Sequence, residues 1–161
     1  MNPISFLETG VLQREDNLHA LARFPSECID LVYLDPPFFS NRHYEVVWHD
    51  DAEVRSFEDR WEGGIENYLE WMEARLVHLH RVLKPTGSLY LHCDPNAGHY
   101  LKVACDRIFD SRKRFQGEII WKRTSAHSDA RRYGRVHDTI LFYTKSSTYT
   151  ELLSNVVDEM A

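Results

Sequence analysis

The apolar run Cys28–Leu34 (CIDLVYL) constrains the fold of this chain more than any other segment. It is rich in isoleucine, valine and tyrosine, and polar, turn-forming residues bound it on both sides. These features are typical of a strand that is buried in the middle of a parallel sheet. The run therefore predicts an α/β fold in which this strand is central.

Helical and strand patterns alternate around this run. Before it, the sequence predicts a short strand over Gly10–Glu15 and a brief helix over Asn17–Phe24, which Pro25 ends. The segment of residues 35–64 is too long to be a simple connection between two elements, and it is expected to be functional. Apolar residues at helical spacing then predict one buried stripe: Ile65, Tyr68, Leu69, Met72, Leu76, Leu79 and Leu83.

Three further strands and one helix complete the pattern. Strands are predicted over Ser88–Cys93, Phe115–Trp121 and Thr139–Thr144. Asp94 is placed to cap a helix whose inner face holds Ala97, Tyr100, Leu101, Ala104 and Ile108. We therefore expect an open three-layer α/β sheet.

Composition and cysteine usage limit the class of protein. With 161 residues, of which 43% are hydrophobic and 27% charged, the chain is expected to form one globular domain. No apolar run is long enough to cross a bilayer, and the N-terminus lacks the pattern of a signal peptide. The three cysteines lie far apart without CxxC spacing, which argues against a disulfide framework or a zinc site. We expect a cytoplasmic protein.

Charge is distributed unevenly along the chain. The net charge is -6, but residues 112–135 carry eight basic residues against two acidic ones, a local charge of +6. The basic residues are Arg112, Lys113, Arg114, Lys122, Arg123, Arg131, Arg132 and Arg135. Such a block indicates contact with a polyanion on one side of the molecule, and a solvated surface loop is the alternative.

The tetrapeptide Asp35-Pro36-Pro37-Phe38 directly follows the predicted central strand. In open α/β sheets, binding sites lie beyond the carboxyl ends of the strands. Asp35 supplies a carboxylate, the two prolines hold their carbonyl acceptors in a stiff extended path, and Phe38 supplies a flat apolar face. This combination suits an exocyclic amino group on a planar base, because both amino hydrogens can be bound and the nitrogen lone pair is then directed at an electrophile.

Two other interpretations of this tetrapeptide exist. The first is a rigid turn that leaves a strand and has no chemical role. The second is the acidic strand end of a nucleoside triphosphatase, but the chain has no GxxxxGK[ST] loop, which excludes that class.

Asp-Pro-Pro-Phe resembles motif IV of the adenine-N6 and cytosine-N4 DNA methyltransferases. The likeness covers about residues 10–145, and motif IV is its specific part. It implies a Rossmann-like enzyme that flips a base out of double-stranded DNA and transfers a methyl group from S-adenosylmethionine to its amino nitrogen. Other segments similar to the family, in order, are Arg14–Leu18, Leu76–Tyr90, Glu118–Arg132 and Val136–Lys145.

The resemblance implies roles for the motif residues. Asp35 and the Pro36 carbonyl would orient the amine, and Phe38 would stack on the base, with Pro37 completing the catalytic motif. Asp16 lies in an acidic motif whose aspartate contacts the adenine of the cofactor in the family, and helix capping is the alternative. Aspartate rather than serine before the two prolines favours adenine, and cytosine-N4 methylation is the alternative.

The family context also implies that the basic block holds DNA. The residues predicted to contact phosphates are Lys122, Arg123, Arg131 and Arg132. No metal site is expected. His78 and His80 lie two apart on a helix and face different directions.

Several residues near motif IV are weaker candidates. Trp48, Phe57 and Trp61 lie in the long loop after the motif, where they either close over the base or bury the loop, and packing is favoured for Trp61. His92 and Asp94 end the next strand beside the expected site, although capping explains Asp94 without chemistry.

One family motif is missing. Family members carry a glycine-rich F-x-G-x-G turn that grips the methionine and ribose of the cofactor, and none of the seven glycines here lies in such a motif. In the circularly ordered subgroup, that turn belongs to the C-terminal half. We therefore expect residues 1–145 to form the motif IV half of a catalytic region, with a DNA-contact loop at about 112–135, and residues 146–161 to form a C-terminal tail.

The missing turn leads to two expectations about partners. A second chain or a C-terminal half would supply the glycine-rich motif, and this chain alone would bind S-adenosylmethionine weakly or not at all. The rival interpretation is a catalytically silent DNA-binding protein, either a truncated remnant or one subunit of a split enzyme.

Overall fold

The computed structural model describes residues 9–39, 43–46, 55–58, 61, 63–123 and 136–150. The elements in these ranges are α1 Asn17–Arg23, β1 Ile29–Leu34, β2 His43–Val46, β3 Arg55–Glu58, α2 Gly64–Val82, β4 Leu83–Cys93, α3 Gly98–Phe109, α4 Ser111–Arg114, β5 Phe115–Lys122 and β6 His137–Thr144. No helix in the described ranges is long and apolar enough to cross a membrane.

The described strands form one large sheet and one small hairpin. The strand order in the large sheet is β1-β4-β6-β5. β1 runs parallel to β4, whereas β6 is antiparallel to both β4 and β5. β2 and β3 form a separate antiparallel pair in the segment that follows β1. Helices connect β1 to β4 and β4 to β5, so the predicted α/β class is confirmed.

The main core joins α2 and α3 to the large sheet. Met72 and Leu76 of α2, Leu89 and Leu91 of β4, and Leu101 of α3 are completely buried in it. Burying a side chain of this size contributes roughly 1.5–3 kcal/mol, so this cluster is the main force that holds the two helices on the sheet. The predicted helical stripe is therefore confirmed along α2, except that Leu83, its last predicted residue, begins β4 instead.

β1 lies at an edge of the described sheet, so its predicted central position is wrong for these residues. Among the described strands, β1 pairs with β4 alone. Val32 and Leu34 pack against the core, but Leu31 and Tyr33 are 40% and 54% exposed. The buried strands with a neighbour on each side are β4 and β6.

Two other local predictions are also wrong. Residues Gly10–Glu15 form no strand, and Leu12 is 96% exposed because this segment has no core to face. Tyr100 is half exposed on α3, because Leu101 and Ala104 fill the inward face of that helix.

β4 begins at Leu83, earlier than the predicted start at Ser88. Ile29 pairs with Leu83, and a register shift then brings Leu31 opposite Ser88. Gly87 lies in this irregular stretch, where a Cβ atom would come within 3.0 Å of the Ile29 carbonyl oxygen. Glycine therefore permits the close approach of the two strands.

Candidate active site

The carboxyl end of β1 and the ends of three other strands meet at one edge of the sheet. Asp35 directly follows β1, and His92 lies at the end of the parallel strand β4. Because β6 is antiparallel to β4, its first residues, including Asp138, lie at the same edge. Arg123 follows the end of β5, where Trp121 pairs with Asp138. This edge is where binding sites are expected in an open α/β sheet.

The Asp35–Phe38 segment leaves the sheet with its side chains in different environments. The Asp35 side chain is 60% exposed, Pro36 is buried, and Phe38 is half-buried. The buried Tyr68 of α2 donates its hydroxyl hydrogen to the Pro37 carbonyl oxygen at 3.0 Å. The structure thus ties the segment to α2 and leaves the Asp35 carboxylate accessible.

His92 contacts both side chains that the sequence predicts to act on the base. Its Nδ1 lies 3.1 Å from Oδ1 of Asp35. The Phe38 ring meets the imidazole edge to face, with centroids 5.1 Å apart and an angle of 82° between the planes. His92 was only a weak candidate in the sequence. The one available signal was its place at the end of a strand.

Asp138 and Arg123 extend this contact across the sheet. Asp138 Oδ2 lies 3.6 Å from Nε2 of His92, and the Asp138 side chain is only 7% exposed. Arg123 donates from Nε to Oδ2 of Asp138 at 2.7 Å. Sequence reasoning missed Asp138 and assigned Arg123 to DNA, because neither residue lies in a motif that would have indicated this pairing.

Burial changes the acidity of groups beside the site. Burial, and next the charge of Asp94, raises the pKa of the Cys93 thiol to about 12. Cys93 is therefore a neutral thiol at physiological pH and supplies no nucleophile. Burial also raises the pKa of Tyr33, and the charge of Asp35 adds to the effect.

A family model described as DNA methylase of the N6/N4 type matches residues 29–160, which include this whole arrangement. The chain belongs to the N6/N4 DNA methylase family. This finding confirms the resemblance that the sequence shows to adenine-N6 and cytosine-N4 DNA methyltransferases. The family transfers methyl groups from S-adenosylmethionine.

Known methylases match most of this chain. It is 24% identical over 144 residues to the DNA adenine methyltransferase YhdJ of Escherichia coli K12, covering 87% of this chain and 42% of that protein. It is 28% identical to the type II methyltransferase M.KpnI of Klebsiella pneumoniae, covering 80% of this chain and 30% of that protein. It is 31% identical to the type II methyltransferase M.EcaI of Enterobacter cloacae, and this match covers 83% of this chain and 29% of that protein. The chain thus spans less than half the length of these relatives.

Solved methylase structures share the fold. The PvuII DNA methyltransferase, which is cytosine-N4-specific, superposes with a TM-score of 0.61 at 18% identity, covering 91% of this chain and 53% of that one. A DNA modification methylase of Thermus thermophilus, in complex with S-adenosylmethionine, superposes with a TM-score of 0.54 at 19% identity. The match covers 89% of this chain and 56% of that one. The predicted incomplete Rossmann-like methyltransferase sheet is confirmed.

Asp16, which the sequence predicts to contact the cofactor, has two structural partners. Its carboxylate caps α1 by accepting from the Leu18 backbone N–H at 2.8 Å. It also pairs with Arg75 at 2.7 Å. Arg75 is buried and lies 3.5 Å above the Trp71 ring, and burial lowers its pKa despite the opposing effect of Asp16. Capping is confirmed, and the contact with the cofactor stays a prediction.

The weaker candidates have different outcomes. Trp61 packs against the rings of Tyr68 and Trp71 at 5.0 and 5.1 Å, so its predicted packing role is confirmed. Asp94 accepts from the backbone N–H groups of Asn96 and Ala97 in the turn before α3. The N-cap of α3 is Ala97, so the predicted helix cap at Asp94 is wrong and its carboxylate holds the preceding turn instead. Trp48 and the side chain of Phe57 lie outside the described residues. In the described ranges, no group of three or more His, Cys, Asp or Glu side chains could hold a metal ion.

Two of the four basic residues predicted to contact DNA lie among the described residues. Lys122 is exposed at the end of β5, and Arg123 is paired with Asp138. Arg131 and Arg132 lie outside the described residues. Contact of these four residues with phosphate stays a prediction.

Proposed function

We propose that this chain is the base-orienting part of a DNA methyltransferase that methylates the N6 amino group of a flipped adenine. The observation that carries the proposal is the position of Asp35-Pro36-Pro37-Phe38 at the carboxyl edge of the sheet, with an accessible carboxylate beside an aromatic ring. Double-stranded DNA in a prokaryotic cytoplasm is the proposed substrate.

The chemistry follows from the acceptors of this segment. Asp35 would accept one hydrogen of the amino group and the Pro36 carbonyl the other, so that the nitrogen lone pair points at the methyl donor. The base would stack on Phe38. Extruding a base costs a few kcal/mol, which stacking and the two hydrogen bonds offset.

Two features support adenine over cytosine. Aspartate, rather than serine, precedes the two prolines. YhdJ, one of the relatives in sequence, is a DNA adenine methyltransferase. Cytosine-N4 methylation is the alternative for the same site, because both reactions require an oriented exocyclic amino group.

The residues present do not by themselves fit S-adenosylmethionine, the proposed methyl donor. Gly63 and Gly64 are the only adjacent glycines, and they begin α2 instead of following a strand at the carboxyl edge. A second chain or a further segment would therefore supply the glycine-rich turn. The lack of a glycine-rich turn also favours the second candidate function, which is DNA binding without catalysis.

The product of the reaction tests the proposal. The chain is expressed, with and without a glycine-rich cofactor-binding half, in bacteria that lack their own DNA methyltransferases. The genomic DNA is then digested to nucleosides for mass spectrometry. We expect N6-methyldeoxyadenosine. N4-methyldeoxycytidine would establish the alternative base, and DNA binding without either product would support the silent role.

A further inference from the structure

Four polar side chains form a row that crosses the described sheet along its carboxyl edge. They are Asp35, His92, Asp138 and Arg123, and they follow the strand order β1-β4-β6-β5. Successive contacts are 3.1 Å from Asp35 to His92, 3.6 Å from His92 to Asp138, and 2.7 Å from Asp138 to Arg123. Each strand thus contributes one group to a continuous row.

The row is exposed at one end and buried in its interior. The side chains of Asp35, His92 and Asp138 are 60%, 18% and 7% exposed, respectively. A buried carboxylate is costly without a charged or hydrogen-bonded partner, and Arg123 supplies that partner for Asp138. Asp138 is therefore fixed, and the row connects this fixed carboxylate to the accessible one.

An accessible carboxylate needs a constraint if it is to orient an amine. Asp35 can rotate about its side-chain bonds, and small errors in orientation lower the rate of a transfer reaction strongly. Nδ1 of His92 lies 3.1 Å from Oδ1 of Asp35, and the same ring touches the Phe38 ring. One imidazole therefore contacts both the acceptor and the stacking surface, so it is placed to hold them relative to each other.

The inner nitrogen of the imidazole faces the buried carboxylate of Asp138. Nε2 of His92 is buried and has no hydrogen-bond partner among the described residues, and it lies 3.6 Å from Oδ2 of Asp138. A histidine that carries one proton can donate from only one nitrogen, so a donor at Nδ1 leaves Nε2 without a hydrogen bond to Asp138.

We propose that His92 is a positioning residue that holds Asp35 and Phe38 in the geometry for base methylation, with its inner edge packed against the Asp138–Arg123 pair. This inference rests on the proposed function and adds a residue that motif IV does not contain. In the proposed arrangement, Nδ1 of His92 faces the Asp35 carboxylate at 3.1 Å as its donor, and His92 does not itself contact the base.

Single-turnover methylation by the chain complemented with a glycine-rich half distinguishes positioning from simple packing. We expect His92→Ala to slow the methylation step by about tenfold while DNA affinity stays within about twofold. His92→Asn should restore most of the rate, because its amide N–H can replace Nδ1–H as the donor to Asp35. His99→Asn, at an exposed position on α3, is the matched control.

Histidine spectra test the same contacts without any need for activity. In long-range 1H–15N spectra of the folded chain, labelled in histidine, the signals that disappear in His92→Asn identify His92. We expect a proton on Nδ1, and we expect both Asp35→Asn and Asp138→Asn to shift the His92 signals. His92 signals that do not respond to Asp35→Asn would overturn the proposal.

Failure of this inference is distinguishable from failure of the proposed function. If the parental protein methylates DNA and His92→Ala does so at the same rate, the positioning role is wrong and the function stands. Equal slowing in His92→Ala and His92→Asn also contradicts positioning through the donor. If the parental chain methylates no DNA even when it is complemented with a glycine-rich half, the proposed function is wrong, and the spectra alone decide whether His92 holds Asp35.

Discussion

A side chain of α2 holds the middle of the Asp35–Phe38 segment. Pro36 and Pro37 have no N–H groups, so the segment cannot be held by backbone donors of its own at these positions. Tyr68 instead donates its hydroxyl hydrogen to the Pro37 carbonyl at 3.0 Å from the middle of the core. The position of the motif is thus coupled to the packing of α2.

Tyr68→Phe tests this coupling. The change removes one buried hydroxyl and leaves the Pro37 carbonyl without that donor. We expect the free energy of unfolding to fall by roughly 0.5–1.5 kcal/mol, measured by urea denaturation. Tyr100→Phe is the matched control, because the Tyr100 side chain is half exposed. Equal effects of the two changes would show that the hydroxyl of Tyr68 does not hold the segment.

The motif residues were predictable from the sequence, but their neighbours were not. Asp35 to Phe38 are contiguous, and their residue types alone indicate an acceptor site beside an aromatic ring. His92 and Asp138 lie 46 positions apart in the sequence, and strands β4 and β6 bring them together. Without the strand order, no spacing rule points from one to the other.

At the scale of the elements, the sequence predicted whether a long segment is a helix or a strand better than it predicted which strands lie beside it. The apolar run Cys28–Leu34 indicated a strand, and β1 is a strand. Its composition could not reveal that the described sheet supplies a neighbour on one side only. The irregular start of β4 was missed for a similar reason, since it depends on the pairing of Leu83 with Ile29.

The N-terminus of α1 is predicted to contribute to stability through Asp16. Asp16→Ala removes the helix cap and leaves the buried Arg75 without its carboxylate. We expect a loss of roughly 1–3 kcal/mol in the free energy of unfolding. Asp16→Asn should lose less, because its side-chain oxygen can still cap the helix. Asp30→Ala is the control, since the Asp30–Lys84 pair is exposed and should contribute about 0–1 kcal/mol. A loss from Asp16→Ala no larger than from Asp30→Ala would contradict the account.

The basic segment contains residues with two different roles. Lys122 is exposed, whereas Arg123 pairs with the buried Asp138. Removing Arg123 leaves a buried carboxylate without its charged partner, which costs roughly 1–3 kcal/mol of stability. Lys122 makes no comparable contribution to the buried site, so its substitution is not expected to reduce stability by this mechanism.

DNA binding should separate the same residues. Replacement of Lys122, or of Arg131 and Arg132, by Ala should weaken binding to all sequences alike and reduce the salt dependence by roughly one unit per lost phosphate contact. Arg107→Ala is the control, because Arg107 is exposed on α3 and lies outside the basic segment in the sequence. Binding titrations at several salt concentrations measure the slope. A loss confined to one sequence, with the slope unchanged, would indicate base readout instead.

At the scale of the whole molecule, the chain presents one part of a methyltransferase fold. It covers 53% of the PvuII methyltransferase chain at 18% identity, and it has the carboxyl-edge site without a glycine-rich turn. The absence of this turn could be predicted from the sequence, because the motif is a run of closely spaced residues. The sequence could not predict the open edge beside β1, which depends on the strand order.

The missing turn leads to a prediction about the cofactor. In isothermal titration, the folded 161-residue chain should bind S-adenosylmethionine weakly or not at all, because it has no turn to grip the methionine and ribose. Circular dichroism of the same sample controls for folding. Micromolar affinity would mean that another segment of this chain replaces the glycine-rich turn.

The most direct test of the account is single-turnover methylation by Asp35→Ala in the chain complemented with a glycine-rich half. Loss of the group that orients the amine should slow the chemical step by about a hundredfold, or about 3 kcal/mol. DNA affinity should hardly change, because phosphate contacts dominate it. Phe38→Ala should instead weaken capture of the flipped base by roughly 1–3 kcal/mol. An Asp35→Ala protein that methylates DNA at the parental rate would contradict the assignment of this site.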